Sequence, residues 1–425
     1  MSQPDKPTTA PSFKWQPPPR PDWVQRVNEE GDCMDISGVV PLDEQSLLDA
    51  AMRATGLSDF GADDWREPFQ VLIKSFEEDA DLNLMGRLRA RSELLLMLTG
   101  RLQIEDTYKH HPEIDDERIT QPIFVIGQGR SGTSFLINTL AANPENGALL
   151  QWEGMYPCPP PDKATYRSEP RIRQAHQRIE QFNRVTPSMA TIHEFAGHLP
   201  MESHSVMCFN FMGTAWFDAF GQVASYDAYM AKQDIRPAIE YHQRVLKLLQ
   251  WKNPRKHWVL KDVTLLDHLD TVLKVHPDAL FVWTHRDPVR ALASTISTVG
   301  TLHWAGTDHL FKRGSYEYVT NPELSAARFQ IAIDKFESGV VPPQQIYHLL
   351  YKDLVGDTIA TLAKMYQHFG VALSPEGRAG MEQYLRDNPR TARPAHKFGI
   401  THEEAALARK AYRRYEEYFG VPNEG

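Results

Sequence analysis

Residues 121–142, QPIFVIGQGRSGTSFLINTLAA, join a short apolar run to a glycine-punctuated turn and then to a helical pattern, an order of pieces that few folds accept. Ile123, Phe124, Val125 and Ile126 show no polar alternation, which predicts a strand covered on both faces in a parallel sheet. Gly127, Gly129 and Gly132 mark a tight turn. Thr133 and Ser134 then open a stretch in which Phe135, Leu136, Ile137, Leu140 and Ala141 predict a helix. The free N–H groups of its first turn would face the loop, a setting suited to phosphate or sulfate.

The spacing of Gly127 and Gly132 imitates a nucleotide-triphosphate loop, but Thr133 stands where that motif carries lysine. The cation comes earlier, at Arg130. A planar guanidinium suits bidentate capture of an oxyanion and needs no magnesium partner. The plain alternative is a glycine turn that only closes a strand onto a helix.

At 425 residues and 41% hydrophobic, the chain is long enough for a large core and for two or three domains. Its net charge of −9 and scattered basic residues argue against a nucleic-acid surface. The expected partner is a small molecule. Cys33, Cys158 and Cys208 match neither a disulfide framework nor a zinc pattern, so a reducing compartment is expected. The start, MSQPDKPTTAPSF, has no signal-peptide pattern, and no apolar run reaches the roughly 18 residues of a membrane span. The chain is therefore expected in the cytoplasm, without stable membrane insertion.

Residues 1–22 are polar and proline-rich and read as a disordered or extended arm. Residues 23–115 read as a helical region packed on the core, with Leu47, Leu48, Ala51 and Met52 on one face and Phe69, Leu72, Ile73 and Phe76 on another. Asp64 with Glu67 resembles a capping box ahead of Pro68. This region is expected to serve packing or a homo-oligomer contact. Further strands are predicted at Ala148–Trp152, Trp258–Leu260, Leu280–Thr284 and Ile346–Leu350, separated by helices. Residues 116–425 thus predict an α/β domain, a P-loop-like doubly wound parallel sheet flanked by helices, with a helical insertion over 155–250 as lid or acceptor wall.

Ligands of such sheets collect outside the carboxyl ends of the strands. The strand ends deliver Arg130 with the glycine loop, Glu153, Lys261 and Arg286 to one edge. Asp287 reads as an N-cap and Pro288 as the first helical residue, so a second anion-binding helix start is expected there. Ser294 lies two turns further on. Its alternative is an ordinary helix-surface serine.

These elements resemble the sulfotransferases that use 3′-phosphoadenosine 5′-phosphosulfate, in their bacterial branch, related to the tyrosylprotein sulfotransferases. IGQGRSGTSFL looks like the family's 5′-phosphosulfate loop, and VWTHRDPVRALAST like its 3′-phosphate element. QWEGMYPCPPP, HWVLKD and IYHLLYKDLVGDTIATLAKMYQHFGV extend the similarity to roughly residues 121–420. The resemblance implies donor binding by Gly129, Arg130, Ser131, Gly132, Thr133, Ser134, Arg286 and Ser294. It implies sulfuryl transfer from that donor to a hydroxyl of a small acceptor, apolar or aromatic in kind, with no metal.

Sulfuryl transfer is mostly positioning and charge stabilisation. Arg130 and Lys261 are expected to stabilise the leaving phosphate oxygen. Glu153 is the expected general base; its place resembles the catalytic glutamate of the tyrosylprotein branch, and the alternative is an ion pair with Arg130 that orders the loop. Glu202, in LPMESH, is the secondary candidate. His193, Glu194, His198, Glu202 and His204 crowd together but lack HExxH spacing, so a metal site is not expected. Asp262 and Val263 depart from the family's usual residues after Lys261. The basic segment with His396 and Lys397 reads as a solvated loop or as weak donor contacts. The competing functions are an ATP-dependent phosphotransferase with a modified P-loop, for which Asp262 would hold the metal, and a non-catalytic nucleotide-binding scaffold.

Overall fold

A computed structural model describes residues 15–213, 215–309, 321–389 and 401–424. The expected contacts of His396 and Lys397 lie outside the described residues. Five strands form one sheet: β1 (Ile123–Gly127), β2 (Asn146–Ala148), β3 (His257–Lys261), β4 (Leu280–His285) and β5 (Ile346–Leu350). The order is β2-β3-β1-β4-β5, and every pair is parallel. This is the predicted doubly wound α/β sheet.

β1 has no exposed residue because its alternate side chains enter different cores. Phe124 and Ile126 join Trp258, Leu260, Phe281 and Trp283 on one face. Ile123 and Val125 join Val259, Val282 and Leu349 on the other. The first of these cores runs without a break into the N-terminal helices through Leu47, Ala51, Phe69, Leu72, Phe76, Leu94 and Leu98. Burial of this much apolar side chain, at about 1.5–3 kcal/mol each, ties the N-terminal region to the sheet. The last part of the expected arm, residues 15–21, lies extended against the end of the helix Pro288–Trp304, where Arg20 stacks 3.8 Å over Trp304 and Trp304 Nε1 donates to Pro18 O at 3.0 Å.

Connections from β1 lead toward β2 and those from β4 lead toward β5, so the switch in winding direction falls between β1 and β4. Their carboxyl ends open a crevice there. Two local expectations fail. The second strand is Asn146–Ala148, and Gln151–Met155 is a short helix, because Gln151 and Trp152 donate their N–H groups to Leu199 and Gly197 of the insertion instead of to a strand. Asp64 does not cap the helix Arg66–Glu78; its carboxylate serves Arg101 (3.4 Å) and Asn210 (3.2 Å). No described helix is long and apolar enough to cross a membrane.

The insertion also carries a pH-sensitive carboxyl. Burial, and then the neighbouring Asp218, push Asp227 up to about 9. A raised carboxyl contributes stability that is fully present below its ordinary value near 4 and is lost as pH climbs toward 9. Asp227→Asn is therefore expected to raise the melting temperature at pH 8 and change it little at pH 4, measured by calorimetry at both.

Candidate active site

The glycine loop turns sharply because two of its residues adopt left-handed backbone. Arg130 has φ 71° and Gly132 φ 98°. At Gly132 a side chain would also collide with the neighbour, since a Cβ there would lie 2.8 Å from Tyr351 Cδ2. The helix Thr133–Ala141 starts directly after Gly132 with no side-chain cap, so its first N–H groups stay available to a ligand. The helix Pro288–Trp304 differs. Asp287 caps it as predicted, accepting from Val289 N (3.0 Å) and Arg290 N (3.3 Å), and thereby fills the second helix start expected to take an anion.

Arg130 and Arg286 meet in the crevice between β1 and β4. Arg130 Nε donates to Ser294 Oγ at 2.9 Å. Arg286 Nη1 donates to Arg130 O at 3.0 Å, and its guanidinium lies 4.1 Å over the Tyr351 ring. Burial, and then the adjacent Arg286 charge, push Arg130 below the usual guanidinium value. An anion between the two cations would relieve that repulsion. Ser131 does not line the cavity that holds these cations. It is 1% exposed, and its hydroxyl is bonded to Gln128 O (2.6 Å) and Thr284 Oγ1 (2.7 Å), which locks the loop against β4.

At the end of β3, Lys261 Nζ donates to Ser134 Oγ at 3.0 Å and pairs with Glu202. The chain between Gly197 and Ser203 brings Glu202 here by lacing itself across the strand ends. Met201 N donates to Leu149 O (2.7 Å), Glu202 bridges Lys261 in parallel register, and Ser203 N donates to Lys261 O (2.7 Å). One Glu202 oxygen meets Lys261, while Oε2 is buried without a hydrogen-bond partner among the described residues. Nearby, His204 Nδ1 faces Asp262 at 3.4 Å. Burial opposes charge on both, yet their mutual attraction outweighs it: His204 titrates above its ordinary value and Asp262 below. Asp262 also accepts from Thr264 N (2.8 Å) and Oγ1 (2.6 Å), so it is held by the turn and by His204.

Glu153, the expected base, sits elsewhere. It is fully buried, pairs with Arg255, accepts from Tyr166 Oη (3.1 Å), and takes the Leu150 N–H (3.0 Å) as the third residue of a short helix. Its ion pair is with Arg255 and not with Arg130. The shift of β2 explains this: a residue expected just beyond a strand end lies instead on a helix that turns it into the core.

A cavity of about 1050 Å³ gathers the rest. Gly129, Arg130, Gly132, Thr133, Ser134, Lys261, Glu202, His204, Arg286 and Ser294 line it; Glu153 and Ser131 do not. Its remaining wall is largely apolar and comes from the insertion (Phe182, Met189, Trp216, Phe220) and from the N-terminal region (Trp23, Met85, Leu88). The latter contribution has no local sequence signal, since isolated apolar residues on helices read as packing. Tyr351, at the end of β5, was equally silent.

A family model described as "Sulfotransferase family" matches residues 122–375. The omega-hydroxy-beta-dihydromenaquinone-9 sulfotransferase of Mycobacterium bovis is 26% identical over 278 residues, 63% of this chain and 67% of that protein. Among solved structures, the sulfotransferase STF1 of Mycobacterium tuberculosis is 28% identical with a TM-score of 0.71, covering 87% of this chain and 98% of that one. STF9 of Mycobacterium avium, at 24% identity and a TM-score of 0.77 over 90% and 98% of the two chains, shares the fold. The strand, loop and helix start, the cations at the strand ends and the matched span agree: the chain belongs to the sulfotransferase family.

Proposed function

We propose that the cavity transfers a sulfuryl group from 3′-phosphoadenosine 5′-phosphosulfate to the hydroxyl of an apolar small-molecule acceptor. The observation that carries this reading is one shared volume with two kinds of wall. An uncapped helix start, Arg130, Lys261, Arg286 and Ser294 flank one side, and Phe182, Trp216, Phe220, Met85 and Trp23 the other. A nucleotide that carries anionic groups on both its 3′ and 5′ sides fits the first wall and an apolar acceptor the second.

In this reading, Gly129, Gly132 and the N–H groups of Thr133 and Ser134 hold the 5′-phosphosulfate. Arg286 and Ser294 hold the 3′-phosphate, and Arg130, bonded to Ser294 through Nε, turns to the 5′-phosphosulfate. The acceptor oxygen attacks sulfur in line as the bond from sulfur to the 5′-phosphate oxygen breaks, and the electron pair leaves with that oxygen. Lys261 and Arg130 meet the charge that develops on it. Glu202 takes the acceptor proton on Oε2, the carboxylate oxygen that Lys261 leaves unengaged. The products are a sulfate ester and adenosine 3′,5′-bisphosphate. The relative named for omega-hydroxy-beta-dihydromenaquinone-9 supports a long apolar alcohol as the acceptor class. A cytoplasmic location belongs to the same reading, supported by three cysteines that are all unpaired.

Melting with adenosine 3′,5′-bisphosphate, compared with ATP plus magnesium, tests the donor. A ligand at a hundred times its Kd adds about 2.7 kcal/mol of apparent stability. Greater stabilisation by ATP would refute the proposal. Arg286→Ala is expected to abolish most of the preference for the bisphosphate over AMP in calorimetric titrations; an unchanged preference would move the 3′-phosphate site away from Arg286. Labelled donor offered to long-chain alcohols, phenols and sugars tests the acceptor class, with transfer to sugars alone counting against it.

A further inference from the structure

The fork of Arg286 is already engaged by a carboxylate. Arg286 Nε lies 2.8 and 3.1 Å from the two oxygens of Glu424, and Nη2 lies 2.8 Å from Oε2. Arg290 Nε adds a contact at 3.5 Å. This two-pronged geometry is the one a guanidinium offers to phosphate oxygens. Despite the cost of its partial burial, Arg286 is held above the ordinary guanidinium value by this partner.

Glu424 is delivered to that position by the chain around it. Gly420 ends the helix His402–Phe419 in left-handed backbone (φ 62°), and Val421 N returns to Glu416 O at 3.0 Å. Asn423 Oδ1 then accepts from Arg409 at 2.5 Å, and Glu424 N donates to Asp287 Oδ2 at 2.8 Å. Arg409 also binds Asp287 at 2.5 Å. Asp287 is 1% exposed, so the segment is anchored on the buried cap of the helix that carries Arg290 and Ser294. Glu424 itself remains about one quarter exposed, able to leave without opening the core.

We infer that Glu424 is an affinity-setting residue of the donor site: its carboxylate stands in for the 3′-phosphate on Arg286, and donor binding exchanges one anion for the other. This rests on the reading of Arg286 as the 3′-phosphate contact. The exchange keeps the guanidinium paired in the nucleotide-free protein. It also lowers the affinity for every nucleotide bearing that phosphate, including the product, and so favours product departure. A nucleotide without a 3′-phosphate does not compete with Glu424 and is indifferent to it.

Titration calorimetry of adenosine 3′,5′-bisphosphate and AMP with wild type, Glu424→Gln, Glu424→Asp and Arg286→Ala tests this. Glu424→Gln is expected to tighten the bisphosphate about 5- to 10-fold, the scale of a partly exposed charged contact, with AMP unchanged. Glu424→Asp, which keeps the charge but shortens the reach, should fall between. Melting curves without nucleotide confirm that each variant is folded. Wild type that prefers the bisphosphate while Glu424→Gln leaves its affinity unchanged or weaker overturns the inference alone, because Glu424 then merely positions Arg286. Equal binding of both nucleotides by wild type, unaffected by Arg286→Ala, overturns the donor reading and this inference together.

Discussion

Glu202→Gln is expected to reduce turnover by about a hundredfold to ten-thousandfold, the range of a positioned general base, while adenosine 3′,5′-bisphosphate still binds. The amide keeps the shape of the side chain but cannot take a proton. Lys261 loses its carboxylate partner yet keeps Ser134, so the donor-side wall retains its cation. Single-turnover transfer of labelled sulfate, with nucleotide affinity measured in parallel, separates the two effects. Near-normal transfer would pass the proton to His204, whose Nδ1 faces Asp262 and which lines the same cavity. Loss of nucleotide binding along with turnover would make Glu202 a support for Lys261 and not a base.

Glu153→Gln should act on the fold. Removing one partner of a buried ion pair leaves the other charge uncompensated and costs about 3–5 kcal/mol. Arg255 is only 7% exposed and depends on Glu153 as its carboxylate, with Tyr166 Oη at 3.2 Å as a neutral neighbour. The variant is expected to unfold at lower denaturant by that amount, while the fraction still folded transfers sulfate at close to the normal rate. Denaturant titration and activity per folded molecule check the two halves. A stable variant without activity would restore Glu153 to the chemistry.

The contrast between these two glutamates marks where local sequence reading succeeds. β1 was legible because a strand buried on both faces needs an unbroken apolar run, and Ile123–Ile126 supplies one. Arg130, Lys261 and Arg286 were legible as a set because a parallel sheet gathers its strand ends. Asp287 as cap is local chemistry and stands as read. Glu153 was misplaced by a small slip at an edge strand. β2 ends at Ala148, and the following helix rotates the carboxylate inward toward Arg255, a hundred residues away in the chain. The Asp64 capping box failed for a similar reason: Arg101 and Asn210, both remote in sequence, compete for the carboxylate.

By itself, the sequence determined the sheet class, the glycine loop with its helix start and the cations around it, since each depends on residues within a few positions or on a rule common to all parallel sheets. Tertiary structure decided that Glu202 and not Glu153 lines the cavity, that the N-terminal helices line it too, and that Glu424 engages Arg286. Those outcomes depend on distant segments arriving together: residues 197–203 crossing the strand ends, Trp23 and Met85 brought in by a shared core, and a turn at Gly420. Short-range patterns specify elements. Only packing specifies which side chains become neighbours when those elements meet.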